Sequence, residues 1–217
     1  MPLEELFYKA LEAGYRRGWH KLLAKYARAP ATGRYQSLLH HSINTALTGW
    51  RLAKLLGVEE KYLEPLFVGL FLHDYAKSAK EYQERVTRGW PTPPEKIPRG
   101  QLAEDFEKLL DELGLKDWSR GIARRVAYLN EAPSTPFDYA EMLSAGPLPE
   151  KLLDVAVLAD VLNSIRGYWE LGGRVSKILG KYGFRIAYHQ VSIIRGVVTQ
   201  LVHRAVEEAM RDKGYEP

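Results

Sequence analysis

The sequence predicts an all-α fold with at most one short β element, on three observations. Apolar residues recur at the i, i+3, i+4 spacing of amphipathic helices over most of the chain. Two stretches, Leu66–Leu72 and Val155–Leu162 (the latter broken only by Asp160), are apolar throughout and read as helices buried on every side. Proline and glycine gather in a few places, leaving the rest free of helix breakers.

In chain order, residues 3–13 form a first helix and 18–28 a second, stopped before Pro30. From Ser37 to Leu56, apolar residues at 39, 43, 46, 47, 50, 53 and 56 mark one face of a helix that Gly57 caps. The next helix, Glu59 to Tyr75, is apolar on most sides in its second half and is expected to be central. The stretch TRGWPTPPEKIPRG (87–100) has four prolines and two glycines and cannot continue a helix. Helices resume over 101–114 and 119–130, with another short one after a Pro-rich turn at 133–136. Leu148–Ile165 is the second strongly buried helix. Gly167, Gly172, Gly173, Gly180 and Gly183 then punctuate a basic stretch, the alternation in 184–192 suits a short strand, and 192–211 closes the chain as an amphipathic helix. No internal repeat or composition shift marks a boundary, so one domain over 1–217 is expected.

The chain has no cysteine, which removes disulfides, thiolate nucleophiles and thiolate metal sites together. Any metal must be held by His, Asp and Glu, a donor set suited to Mg, Mn, Fe, Co, Ni or Zn rather than Cu(I) or an iron–sulfur cluster. Asparagine occurs only at 44, 130 and 163, and 27% of residues are charged, a composition of thermophile character. The N-terminal segment lacks the features of a signal peptide, and no stretch reaches the roughly 18 apolar residues of a membrane span. A cytoplasmic protein without a membrane partner is the expectation. The formal charge of +4 and pI near 9.1 permit nucleic-acid binding without requiring it.

Three places carry chemistry. Asp160 lies within an otherwise apolar run, where an unpaired carboxylate costs several kcal/mol. An arginine, a set of hydrogen-bond donors or a cation must compensate it. His73 and Asp74 pose the same problem at the end of LFVGLFL, with Lys77 one turn on. His40 and His41 open the 37–56 helix and point about 100° apart, so at most one is expected to face inward, and His41 lies nearer the apolar face. Together these give two imidazoles and two carboxylates, an N/O set that matches a divalent transition metal with positions open to water and substrate.

The order H…HD…D, framed by HSINTAL…RLAKLLG and LFVGLFLHDYAK, resembles the HD superfamily of metal-dependent phosphohydrolases. The likeness spans about residues 36–165 and implies an HD-type helical bundle. By that match His41, His73, Asp74 and Asp160 are the metal ligands, and Lys77 is the lysine often found after the HD pair. Within the superfamily, HSINTAL, HDYAK and the C-terminal YHQVSIIRGVVTQLVH look most like the nuclease module of CRISPR–Cas interference complexes, in particular that of the type I-D large subunit. The resemblance implies cleavage of DNA, preferentially single-stranded, with a divalent ion (Mn, Ni, Co, Fe or Mg), alongside other effector subunits and a helicase. Asp74 would share ligation with orienting water, and Lys77 would stabilise charge on the phosphoryl oxygens.

The chain departs from the family in having no histidine between Asp74 and Asp160. One metal is therefore expected; a second would draw on carboxylates or on His189 or His203, which with His40 form a second rank of site residues. A single strand needs a basic track with stacking surfaces. Arg85, Arg88, Trp90, Lys96 and Arg99 offer one, and Arg174, Lys177, Lys181 and Arg185 another, with Arg195 and Arg204 as extensions. Two rivals are an HD phosphohydrolase acting on a small nucleotide and a degenerate scaffold subunit.

Overall fold

The computed structural model describes residues 1–28, 35–90, 100–128, 148–164 and 168–215. Among them are nine α-helices, three single turns of 3₁₀-helix and a two-stranded ribbon, so the all-α prediction holds. In chain order they are α1 (Leu3–Arg16), β1 (Leu23–Arg28), β2 (Tyr35–Ser37), α2 (Leu38–Leu55), α3 (Leu63–Leu72), α4 (Lys80–Thr87), α5 (Gln101–Glu112), α6 (Asp117–Ala127), α7 (Glu150–Asn163), α8 (Tyr168–Lys181) and α9 (Tyr188–Asp212). The 3₁₀ turns are Trp19–Lys21, Glu60–Tyr62 and Tyr75–Ser78. The Pro-rich turn at 133–136 and its short helix lie outside the described residues.

The axis of the fold is α2. Ser37 caps it, its Oγ accepting the His40 backbone N–H at 3.1 Å. Past the cap α2 packs against α1, α3, α7 and α9, and every residue from Leu38 to Ala46 is buried. Gly49 lets α2 approach its neighbours: a Cβ there would stand 2.1 Å from Leu70 Cδ1 on α3 and 3.4 Å from Ala159 on α7. Nine of the ten residues of α3 are buried, as its apolar sequence predicts, because α2, α6 and α7 cover it. The main core joins α1, α2, α3, α5, α6, α7 and the end of α9. A smaller cluster joins Leu158, Val161 and Leu162 of α7 to Val175 and Ile178 of α8 and Val191 of α9.

Three expectations are corrected. Residues 18–28 are not a helix: Gly18 adopts φ +72°, Trp19–Lys21 make one 3₁₀ turn, and 23–28 pair antiparallel with 35–37. The pairing is non-local, with Leu23 opposite Ser37 at the cap of α2, so the segment's own periodicity carries no sign of it. Thus the short β element exists, but not at 184–192, where 184–187 form no strand and α9 already begins at Tyr188. The central helix ends at Leu72 rather than Tyr75, because Asp74 leaves helical geometry (φ −110°, ψ 20°) and the chain tightens into the 3₁₀ turn. The glycine-punctuated stretch, for which periodicity gave no element, contains α8, with Gly172 and Gly173 inside it.

Outside the core, Arg17 ties the end of α1 to α5. Its guanidinium donates to both Asp105 oxygens at 2.9 Å and to Glu112 at 2.9 and 3.0 Å. The Tyr75 hydroxyl also donates to Asp105, at 2.5 Å, linking the ion pair to the turn after His73–Asp74. No helix among the described residues is long and apolar enough to cross a membrane.

Two predictions follow from this packing. A Cβ at Gly69 would meet the Ala123 carbonyl oxygen and Val126 Cβ, both at 2.6 Å, so α3 and α6 must part. Gly69→Ala is expected to lower unfolding free energy by about 1–3 kcal/mol in urea titration, the usual cost of overpacking. Arg17 holds the Asp105 and Glu112 carboxyls below their ordinary range despite partial burial. A carboxyl with a depressed folded-state pKa contributes stability above the ordinary carboxylate range, about pH 4, and loses it as pH falls through the folded value. The stability gap between wild type and Arg17→Met should therefore be widest near neutrality and shrink below about pH 4; a gap independent of pH would exclude the ion pair as its cause.

Candidate metal centre

Three helices bring four donor residues together around the His41–His73 pair. The second turn of α2 contributes His41, the C-terminal end of α3 contributes His73 and Asp74, and the third turn of α7 contributes Asp160. His41 Nε2 stands 3.1 Å from His73 Nε2, 3.1 Å from Asp74 Oδ2 and 3.8 Å from Asp160 Oδ1. His73 Nε2 is 3.4 Å from Asp74 Oδ2 and 3.3 Å from Asp160 Oδ1. Donors about 2.1 Å from one cation stand about 3.0 Å apart at the cis positions of an octahedron and about 3.4 Å apart on a tetrahedron. The donor atoms of His41, His73 and Asp160 all lie within 4.8 Å of one another and could hold a divalent ion, with Asp74 beside both imidazoles.

The break after Leu72 sets this geometry. The last carbonyls of a helix lack intrahelical donors, and His73 uses one: its Nδ1 lies 2.6 Å from Leu70 O. In the neutral ring with Nδ1–H donating to that carbonyl, Nε2 is the bare nitrogen that faces the other donors, the outer-sphere arrangement typical of metal-binding histidine. One residue on, Asp74 is buried with its side chain only 1% exposed, and Lys77 comes back over the 3₁₀ turn to pair with it. The turn is closed by the Lys77 N–H donating to Asp74 O at 2.9 Å.

The charges are strongly coupled. Burial opposes ionisation of Asp74, but His73 and Lys77 outweigh it and hold the carboxyl well below its usual range. Burial likewise disfavours charged His73, yet Asp74 and Asp160 raise it to about 9. For His41 burial dominates and lowers the pKa. Lys77 is raised, since Asp74 overcomes the cost of burying its ammonium. The cluster is sealed on the α2 and α3 sides and more open at α7, where the Asp160 side chain is 19% exposed. Asp160 is thus less buried than its apolar surroundings in sequence suggest.

The five first-rank residues, His41, His73, Asp74, Lys77 and Asp160, come together. The others are dispersed. The prediction that at most one of His40 and His41 faces inward is corrected: both are buried, because α2 is enclosed all round and rings 100° apart enter different layers. His40 stands against His203, with ring centroids 4.7 Å apart, and His189 is exposed at the start of α9. Arg88 and Trp90 are exposed just after α4, the guanidinium 4.9 Å over the indole. Lys96 and Arg99 lie outside the described residues. Arg195 is half-buried and its Nη2 donates to Ser164 O just past α7, bracing that helix end. Lys181 pairs with Glu150 and Asp154, whereas Arg174, Lys177, Arg185 and Arg204 are exposed.

Sequence reading missed two sets of neighbours. Gln83 of α4 bridges the ribbon and the lysine turn, accepting from Leu23 N–H at 2.9 Å and donating to Leu23 O at 3.0 Å and Lys77 O at 2.6 Å. Asn44, Thr45 and Thr48 follow His41 along one face of α2 at i+3, i+4 and i+7 and are all buried; Thr48 accepts from Asn163 Nδ2 of α7 at 3.0 Å. The side-chain polar atoms of Asn44 and Thr45 have no protein partner among the described residues, as in seams that take ordered water or ligand. The signal was present, since polar residues at helical spacing on an otherwise apolar helix mark such a seam.

No family model, curated protein or solved structure matches the chain.

Removing Lys77 tests the charge balance. Lys77→Met strands a buried carboxylate, for which a loss of about 3–5 kcal/mol is expected in EDTA by thermal or urea unfolding. Saturating Mn²⁺ should return part of that loss, because a cation takes over the compensation of Asp74. A variant whose deficit is identical with and without the ion would mean that no cation reaches Asp74.

Proposed function

We propose that the chain is a divalent-metal-dependent nuclease of the HD type that hydrolyses phosphodiester bonds in DNA, preferring single strands. In this reading it works in the cytoplasm within a CRISPR–Cas interference complex, beside other effector subunits and a helicase. The observation that carries it is the convergence of His41, His73 and Asp160, with Asp74 against both imidazoles and Lys77 alongside. A degenerate scaffold has no reason to bury two imidazoles and a carboxylate around a shared point, since each charge there costs stability.

When bound, a divalent ion supplies Lewis acidity toward water and a phosphoryl oxygen. The chain's own residues do the rest. His41 and His73 hold the centre from the buried side, and Leu70 O keeps the His73 ring aimed. Asp74, fixed by Lys77, can orient an attacking water and take its proton. The Lys77 ammonium, beside Asp74, can stabilise charge that builds up on a transferring phosphoryl group. The substrate approaches from α7, the side on which Asp160 is partly exposed.

An open flank favours a polymer over an enclosed small nucleotide. The exposed Arg88–Trp90 pair offers a cation and a stacking face, and Arg174, Lys177 and Arg185 add exposed positive charge. Ile193, Val197 and Leu201 are exposed at successive i+4 positions of α9, and this apolar stripe agrees with a chain that works against another subunit.

Purified protein with end-labelled single-stranded DNA, duplex DNA and nucleoside mono- and triphosphates, in Mn²⁺, Ni²⁺ or EDTA, tests the reading. Metal-dependent cutting of the single strand is expected, abolished in the His73→Ala/Asp74→Ala protein and reduced about 10²–10³-fold by Lys77→Met. Trp90→Ala should weaken strand binding by about 1–3 kcal/mol with kcat retained. Turnover of nucleoside phosphates alone would replace the nuclease by a nucleotide phosphohydrolase.

A further inference from the structure

Apart from the four donors above, α2 and α9 bring a second set together. His40 of α2 and His203 and Glu207 of α9 each present one donor atom, all within 4.8 Å of one another. His203 and Glu207 are i, i+4 neighbours on one face of α9, with Nε2 and Oε1 3.0 Å apart. The His40 ring lies against that of His203, tilted by 39°. No residue is shared with the His41–His73–Asp74–Asp160 centre.

The state of His40 singles this cluster out from an ordinary surface His–Glu pair. The residue is only 7% exposed, yet its Nε2 has no partner among the described residues. Its other nitrogen is held: Nδ1 lies 2.8 Å from Ser37 Oγ, the same oxygen that caps α2. With Nδ1–H donating to Ser37, Nε2 is a bare lone pair on a ring that packs against His203, the tautomer that outer-sphere bonding selects in metal-binding histidine. A buried nitrogen left without a partner costs about 1–3 kcal/mol, and a cation removes that cost.

We propose that His40, His203 and Glu207 form a second, separate site for a borderline transition-metal ion such as Zn²⁺, Co²⁺ or Ni²⁺, clamping α9 onto the capped end of α2. The donor set of two imidazoles and one carboxylate is suited to these ions and poorly suited to Mg²⁺, which prefers oxygen and water. Donors around tetrahedral zinc stand about 3.4 Å apart; His203 and Glu207 are already close to that spacing, and side-chain torsions of the size found within one rotamer well bring in the remainder. Three protein donors leave one position of a tetrahedral ion to water. The ion would tether α9 at the same cap that sets the start of α2.

Metal-stripped full chain, dialysed against Zn²⁺ or Co²⁺ and measured by elemental analysis, tests this without reference to activity. Wild type is expected to hold two equivalents, and His203→Ala and Glu207→Gln one each, with at least about a tenfold loss of affinity at this site for Glu207→Gln. Asp160→Asn should also hold one equivalent, which His203→Ala in the same chain removes. If the first centre alone binds metal, wild type holds one equivalent, lost in Asp160→Asn and kept in His203→Ala, and the second site is refuted. If only the second binds, the pattern reverses, so the two sites stand or fall separately. Circular dichroism of each variant establishes that it is folded, and His40→Gln, which keeps a polar side chain, replaces any variant that is not. Full metal retention by folded His203→Ala and Glu207→Gln would overturn the proposal.

Discussion

Everything at the centre follows from one unfavourable placement, the carboxylate of Asp74 at the buried end of the most apolar helix. Its side chain is 1% exposed, where an isolated charge is not tolerated and must be paired or neutralised. The surroundings answer with three groups. Lys77 returns over a 3₁₀ turn that exists because the helix stops at Leu72, and His73 and His41 supply imidazoles from two helices. The turn is held in turn by Gln83 from α4 and, through Tyr75 and Asp105, by Arg17 at the end of α1. Elements remote in sequence are thus recruited to hold one carboxylate in place.

The burial of α2 has a second consequence. A helix enclosed on one side can use adjacent histidines only once, the other pointing to solvent. Here α9 covers the side that α3 and α7 do not, and the 100° step between His40 and His41 turns two neighbours into members of different clusters. One clusters with α3 and α7, the other with α9. Ser37, by capping the helix and bonding to His40, sets the rotation of both.

The sequence showed the helices where periodicity was long and strong, as in α2, α3 and α7, and it pointed to the His41, His73, Asp74 and Asp160 cluster because acidic and imidazole groups stand out inside apolar runs. It could not show β1 and β2, whose pairing joins residues 7 to 14 apart, nor the end of α3, where no proline or glycine marks the break. It hid Glu207 altogether, since a glutamate on an amphipathic helix reads as solvated until its partner across the fold is known. It hid the packing role of Arg195 too: a basic residue near the chain end suggests a strand-binding cation, and its Nη2 also donates to the Ser164 carbonyl.

That last contact explains why the C-terminal helices belong to the centre although they supply none of its four donors. Asp160 is the only one of the four with appreciable exposure, so its position depends most on what holds its helix. On one side α7 packs into the main core through Leu152, Val155, Ala156 and Ala159, and on the other into the smaller cluster through Leu158, Val161 and Leu162. The second cluster exists only because α8 and α9 fold back, and Arg195 then fastens α9 to the end of α7 one turn beyond Asp160. Loosening α9 therefore frees Asp160 first, while His41, His73 and Asp74 stay fixed by α2 and α3. The bundle's C-terminal layer thus helps set where Asp160 stands relative to the two imidazoles.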